Sequence, residues 1–250
     1  PDGVKLEELT LGGGVHESTV WSSVNVSGTL TVTGEVAAQE IRATHLVVEA
    51  GGTLRHPQST TEAPRELILD ISGDVVVKTG GSINVSGRGY SSRTTYGGET
   101  PSGAGGAGSH VGRGGGSSGS TYGSVYFPAE GGGGGDASSG FGGGVVRIAA
   151  RSVICEGQIH ANAVNSGWVT GAGGSIWIRV SDGVTGSGTI SASGGWARSY
   201  ASGGGGAIAI YHGSDEGVGP RLSAAGGEGG DWAWGGAGTV LVHGPGSEHG

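Results

Sequence analysis

The chain has 250 residues, 61 of them glycine, and its 13 Lys and Arg against 21 Asp and Glu leave a net charge of −8. A mostly helical fold is excluded because glycine inside a helix costs about 1 kcal/mol per residue, and collagen is excluded because the glycines have no three-residue period. An acidic chain with no basic cluster, and without the roughly 18 consecutive apolar residues of a transmembrane helix, is expected neither to bind nucleic acid nor to insert into a membrane.

The first part of the chain, residues 1–87, contains short runs in which apolar and polar residues alternate. Successive side chains of a strand point to opposite faces, so these runs predict strands with one buried face. Three runs are similar to one another, and we interpret them as corresponding strands of successive early coils. They are GTLTVTG (28–34), GTLRH (52–56) and GSINVSG (81–87), whose apolar residues Leu30, Leu54 and Ile83 are 24 and 29 residues apart.

Residues 88–142 have a different composition. From Gly87 to Gly144 there are 23 glycines in 58 residues, which is typical of a linker. However, YGSVYFP (122–128) adds three aromatic residues that should pack, and glycine allows backbones to approach one another closely. We predict a largely ordered, glycine-rich insertion that forms an extended layer against the rest of the fold; a floppy loop is the alternative.

The last part, residues 143–250, is a repeat. The runs VVRIAA, SIWIRV, AIAIYH and TVLVHG begin at residues 145, 175, 207 and 239, which are 30, 32 and 32 residues apart. A repeat of this length indicates stacked structural units, because one unit alone cannot bury its apolar face. The alternation predicts three inward columns. They are Val146, Ile176, Ile208 and Val240; Ile148, Ile178, Ile210 and Val242; and, from a second run in each repeat, Ile159, Ile190 and Leu222.

These repeats resemble the glycine-rich β-helix repeats of large secreted and cell-surface, adhesin-like proteins. The resemblance extends over residues 65–250 and is best from residue 142 onwards. It implies a parallel β-helix and an extracellular or cell-surface location, but it does not by itself imply any particular activity. We therefore predict an all-β, parallel β-helix (β-solenoid) with a glycine-rich insertion. Residues 1–87, 88–142 and 143–250 would form one continuous domain.

Enzymatic chemistry has little support in the sequence. The β-helix hydrolases that act on pectin use closely paired aspartates and a Gly-His-Gly segment, and this chain has neither. Hydrolysis of a glycosidic bond needs two carboxylates about 5–10 Å apart. Asp215 and Glu216 are adjacent, but GSDEG is typical of a solvated turn. We therefore favour a non-catalytic protein, with a catalytic Asp215–Glu216 pair as the alternative.

Calcium is the cofactor that the sequence suggests. The segment GGEGGDWAW (226–234) matches a nonapeptide calcium-binding pattern in which Asp231 is the ligand. That kind of site needs tandem copies, because one turn completes the ligands of the next, and no copy follows at a nine-residue step. We expect a glycine-rich turn and no cofactor, with calcium at Asp231 as the alternative.

Aromatic residues provide the main ligand-binding hypothesis. Exposed aromatic rings beside polar groups suit sugar rings, which offer apolar faces and hydroxyl groups together. The alternative is that the rings pack over glycine-rich backbone. The candidate residues are Trp177, Arg179, Trp196, Tyr211, Trp232 and Trp234. Asn25 and Asn84 lie in N-glycosylation sequons, which matter if the source is eukaryotic.

The leading functional hypothesis is a non-catalytic, extracellular structural or adhesive module that binds a polysaccharide or a cell-surface glycan. One alternative is a polysaccharide-degrading β-helix enzyme. Another is a self-assembling extracellular filament subunit, because the open ends of a stacked fold can pair with another chain.

Overall fold

The computed structural model describes residues 8–11, 20–98, 105–116, 120–136, 140–215, 217–229 and 233–245. These residues form 18 β-strands and one short 3-10 turn at Tyr96–Gly98, and no α-helix occurs among them. The prediction of an all-β chain is therefore confirmed. In the described part of the chain, no helix has the length and apolarity needed to cross a membrane.

The described strands form a six-stranded and a twelve-stranded sheet in which all strand pairs are parallel. We call the six-stranded sheet row A. It contains β1 (Glu8–Leu11), β3 (Thr29–Val32), β5 (His45–Val48), β8 (Asp74–Val77), β11 (Ser152–Cys155) and β14 (Val184–Thr185).

The twelve-stranded sheet consists of two rows that are joined by the long strand β4 (Glu35–Ala43). The beginning of β4 pairs with row B and its end pairs with row C. Row B also contains β6 (Thr53–Arg55), β9 (Ser82–Asn84), β12 (Gln158–His160), β15 (Thr189–Ser191) and β17 (Arg221–Ser223). Row C also contains β2 (Val20–Asn25), β7 (Leu67–Ile71), β10 (Val145–Ala150), β13 (Ser175–Val180), β16 (Ala207–Tyr211) and β18 (Thr239–His243).

From β5 onwards the chain visits rows A, B and C in turn, so that β5–β6–β7 are followed by β8–β9–β10, β11–β12–β13 and β14–β15–β16. We call one such passage a coil. Each coil lies beside the previous one in parallel register. Val146, for example, pairs with Ile176, which pairs with Ile208. The three predicted columns are confirmed by these pairings and by those of Ile159 with Ile190 and of Ile190 with Leu222.

The core lies between the three rows and is built from the inward residues of each strand. Ile148, Ile178 and Ile210 are completely buried. In the last coil, Val240 and Val242 occupy the same columns but are 44% and 40% exposed, because β18 is the edge strand of row C.

The predicted equivalence of three N-terminal runs is wrong for one of them. Leu54 pairs with Ile83 in row B, as expected, but Leu30 pairs with Leu46 in row A. All three rows bury alternate residues, so the pattern of one short run does not distinguish the row it occupies.

The glycine-rich insertion leaves the coil between rows B and C. The later segments 161–174 and 192–206, and the described parts 224–229 and 233–238 of a third, leave at the same corner, and we call these three segments the arms. Described parts of the insertion donate backbone hydrogen bonds to the arms, from Gly108 N to Thr170 O at 2.9 Å and from Gly112 N to Gly205 O at 2.9 Å. These parts of the insertion are therefore held against the arms by backbone contacts.

Candidate functional site

An open groove of about 610 Å³ lies on the outer side of row C. The strands place its residues by alternation: Ile178 and Ile210 point into the core, so Arg179 and Tyr211, which follow them, point outward. The parallel register then sets Arg179 beside Tyr211 and Tyr211 beside His243, across three coils. We call this cavity the row C groove.

The row C groove combines aromatic rings with hydrogen-bonding groups. The rings of Tyr211 and His243 have centroids 5.7 Å apart and are tilted by 59°. Arg179, Ser181 and His212 supply further polar atoms along its wall. Arginine, hydroxyl and imidazole groups can all hydrogen-bond to a ligand, while the tyrosine ring offers an apolar face.

Trp177 is adjacent to the groove but is partly covered. The ring of Phe127, from the insertion, meets it edge-on at 5.3 Å. The Arg147 guanidinium lies 4.7 Å from the centre of the Phe127 ring and 5.7 Å from that of Trp177. The hydroxyl of Tyr211 donates to the Tyr126 carbonyl oxygen at 2.8 Å. For Trp177, these direct contacts support the alternative that its ring packs against neighbouring groups.

A second aromatic surface lies on the arms. Trp168 and Tyr200 stack at 5.0 Å with an interplanar angle of 17°, because the bridge between Val169 and Ala201 sets the two positions side by side. Trp168 is 62% exposed. Two of the predicted ligand-binding residues, Trp196 and Trp234, are on the second and third arms, at 46% and 72% exposure. We call these four residues the arm aromatics.

The structure divides the predicted ligand-binding residues between two places. Arg179 and Tyr211 line the row C groove and Trp177 lies next to it, whereas Trp196 and Trp234 are on the arms. Trp232 and the candidate calcium ligand Asp231 lie outside the described residues, as does Glu216. Among the residues that are described, no group of three or more His, Cys, Asp or Glu could hold a metal ion.

A pair of carboxylates that was not predicted from the sequence lies in a second cavity. Glu66 and Glu130 line a cleft of about 340 Å³, which we call the acidic cleft, together with Tyr90 and Arg147. Burial, and secondly the charge of Glu66, raises the pKa of Glu130. Burial, and secondly Glu130, raises the pKa of Tyr90 to about 12. Glu66 accepts a hydrogen bond from Arg147 at 3.3 Å. Glu66 and Glu130 are far apart in sequence, and no motif connects them.

The two asparagines of the glycosylation sequons and the single cysteine lie elsewhere on the strands. Asn25 is exposed on β2, whereas Asn84 is half-buried on β9 and its Oδ1 accepts a hydrogen bond from Ser86 N at 3.0 Å. Cys155 is fully buried, and burial raises the pKa of its thiol to about 11, with a smaller contribution from Glu156. A protonated, buried thiol is a poor nucleophile at neutral pH.

No protein-family model matches the chain, and the searches of curated proteins and of solved structures likewise find no match. Function is therefore inferred from the row C groove, the arm aromatics and the acidic cleft themselves.

Proposed function

We propose that the chain is a parallel β-helix module of an extracellular or cell-surface protein, and that it binds carbohydrate in the row C groove without cleaving it. The repeated passage of the chain through rows A, B and C supports the β-helix. The extracellular location is supported by the resemblance of the repeats to those of secreted and surface proteins.

The proposed binding function rests on one observation. Tyr211 and His243 lie beside Arg179 and Ser181 in a single open groove. Ligand sites in proteins are concave and combine apolar or aromatic walls with a few convergent polar groups. A sugar ring can pack one face on Tyr211 while its hydroxyls meet the polar groups. A polymer that lies across the coils would contact Arg179, Tyr211 and His243 in turn, because the register aligns them.

The test is retention on a panel of immobilised polysaccharides, together with the release of new reducing ends. We expect retention without release, and loss of retention in Tyr211→Ala. Trp168→Ala, an arm aromatic, is the matched control and should retain binding. Thermal unfolding of both variants shows whether each is folded. Loss of binding in Trp168→Ala alone would place the site on the arms, and no retention on any polysaccharide would overturn the proposal.

The acidic cleft favours a second candidate function, hydrolysis of a glycosidic bond. Such hydrolysis uses two carboxyl groups whose environments separate their pKa values, one as the acid and the other as the base or nucleophile. The raised pKa of Glu130 suits the acid. Glu66, held by Arg147, would then serve as the base or nucleophile.

Release of reducing ends decides between the two functions. If the chain is a glycosidase, Glu130→Gln and Glu66→Gln should each abolish release, while Glu62→Gln, an exposed control on the same segment as Glu66, should leave it unchanged. Absence of release from every polysaccharide that is retained would exclude this second function for those polymers.

A further inference from the structure

We infer that the row C groove recognises anionic polysaccharide, in which the sugars carry carboxylate or sulfate groups. This inference rests on the proposed carbohydrate binding and names its substrate class. The observation behind it is the sign of the charges in the groove. Of the described residues that line it, the charged or ionisable ones other than Tyr211 are Arg179, His212 and His243, and none is a carboxylate.

The charged groups that line the groove thus differ in sign from the net charge of the whole chain, which is −8. The acidic residue nearest in sequence to the groove wall is Asp182, which follows Ser181. Its carboxylate accepts a hydrogen bond from Arg151 at 3.2 Å, so its charge is partly neutralised there. Attraction of an anion to the groove is therefore not cancelled by an unpaired carboxylate on its wall.

Arg179 is the residue on which the inference depends. Two arginines on or next to the adjacent strand β10 are paired: Arg147 with Glu66, and Arg151 with Asp74 and Asp182. Within the described part of the chain, Arg179 forms no ion pair, and its side chain is exposed. A guanidinium presents a planar fork of donors that matches the oxygens of a carboxylate or a sulfate.

The neighbouring ring completes the recognition of a charged sugar. Tyr211 is the direct register partner of Arg179 on the adjacent strand, and adjacent strands are about 4.7–4.9 Å apart. An acidic sugar whose ring packs on Tyr211 can therefore direct its anionic group towards Arg179. A neutral sugar can use the same ring but leaves the guanidinium without a charged partner.

The experiment measures affinity for polymers that differ only in charge. One pair is dextran and dextran sulfate; the other is methyl-esterified and de-esterified polygalacturonate. At about 0.15 M salt, where exposed charges are screened beyond ~8 Å, we expect at least one anionic polymer to bind about tenfold more tightly than its neutral partner. The two pairs distinguish sulfate from carboxylate.

Two variants connect this preference to the groove. Arg179→Gln should abolish the preference for the anionic polymer while it retains binding to the neutral one. Arg198→Gln removes the same charge from an exposed arm residue and should leave the preference unchanged. Thermal unfolding checks that both variants are folded.

Where the chain binds at least one polymer, the outcome tests the inference separately from the proposed function. Equal affinity for charged and neutral polymers would overturn the inference and leave carbohydrate binding intact. A preference that survives in Arg179→Gln, or that is lost in Arg198→Gln, would also overturn it. Absence of binding to all four polymers would overturn the inference as well as carbohydrate binding for these polymers, and the wider panel would then decide the proposed function.

Discussion

The Nδ1 atom of His110 lies 3.0 Å from the carbonyl oxygen of Gly173, 63 residues away along the chain. This contact joins the glycine-rich insertion to the first arm. A second buried histidine, His56, accepts a hydrogen bond from Val145 N at its Nε2 atom, at 3.0 Å. Burial lowers the pKa of both imidazoles to about 4. Both contacts are thus made by neutral histidines.

Stability should therefore fall in mild acid. An unfolded histidine has a pKa of about 6.5, so between pH 6.5 and 4 the unfolded chain binds more protons than the folded one. The stabilising effect is present above pH 6.5 and is lost as the pH falls towards 4. From pH 7 to 4.5, each histidine should lower the free energy of unfolding by about 2 kcal/mol. Denaturant unfolding at a series of pH values measures this.

Variants assign the pH effect to these residues. The amide of the variant His110→Asn can still donate to Gly173. Because one of the two histidines is then absent, the loss of stability that the two histidines cause between pH 7 and 4.5 should be about half as large. Ile148→Val is the control, because it removes a buried methylene and should lower stability equally at each pH. An unchanged pH dependence in His110→Asn would contradict the prediction.

Glycine should be required where backbones touch. A Cβ atom added at Gly203 would overlap the carbonyl oxygen of Gly171, on the neighbouring arm, whereas one added at Gly167 would meet nothing within 4 Å. Gly203→Ala should therefore lower the free energy of unfolding by about 3 kcal/mol or prevent folding. Gly167→Ala should change it by less than about 0.5 kcal/mol. Equal effects of the two substitutions on thermal unfolding would refute this account of the arms.

The column of Val146 and Val240 should show how a neighbouring coil contributes to stability. Both are valines of row C in equivalent positions, but Val146 is fully buried and Val240 is 44% exposed. Val146→Ala should cost about 2 kcal/mol, from the lost burial of two carbon groups and the cavity that remains. Val240→Ala should cost clearly less. Chemical denaturation of both variants tests the difference, and a similar cost would mean that another chain segment covers the last coil.

The single thiol should be unreactive in the folded protein. Cys155 is fully buried and its pKa is raised to about 11. At pH 8, a chromogenic disulfide reagent should react with less than one-tenth of the thiol over a period in which it reacts completely in denaturant, because only the exposed thiolate is reactive. Rapid reaction without denaturant would show that row A opens at Cys155.

The repeating part of the fold could be predicted from the sequence because its signals are local. Alternation within a strand marks the inward side chains, and a period near 30 residues aligns one coil with the next. The columns through Val146 and Ile148 were predictable for this reason. So was the outward position of Arg179 and Tyr211, which follows from the burial of their neighbours.

Only the tertiary structure decided which distant residues meet. The position of Leu30 in row A depends on the path of the chain, since short alternating runs are alike in all rows. The insertion is positioned largely by hydrogen bonds between backbone groups, which are present whatever the side chain, so its sequence carries no pattern that identifies its partners. That is why the contact of Phe127 with Trp177, and the meeting of Glu66 and Glu130 in one cleft, could not be predicted.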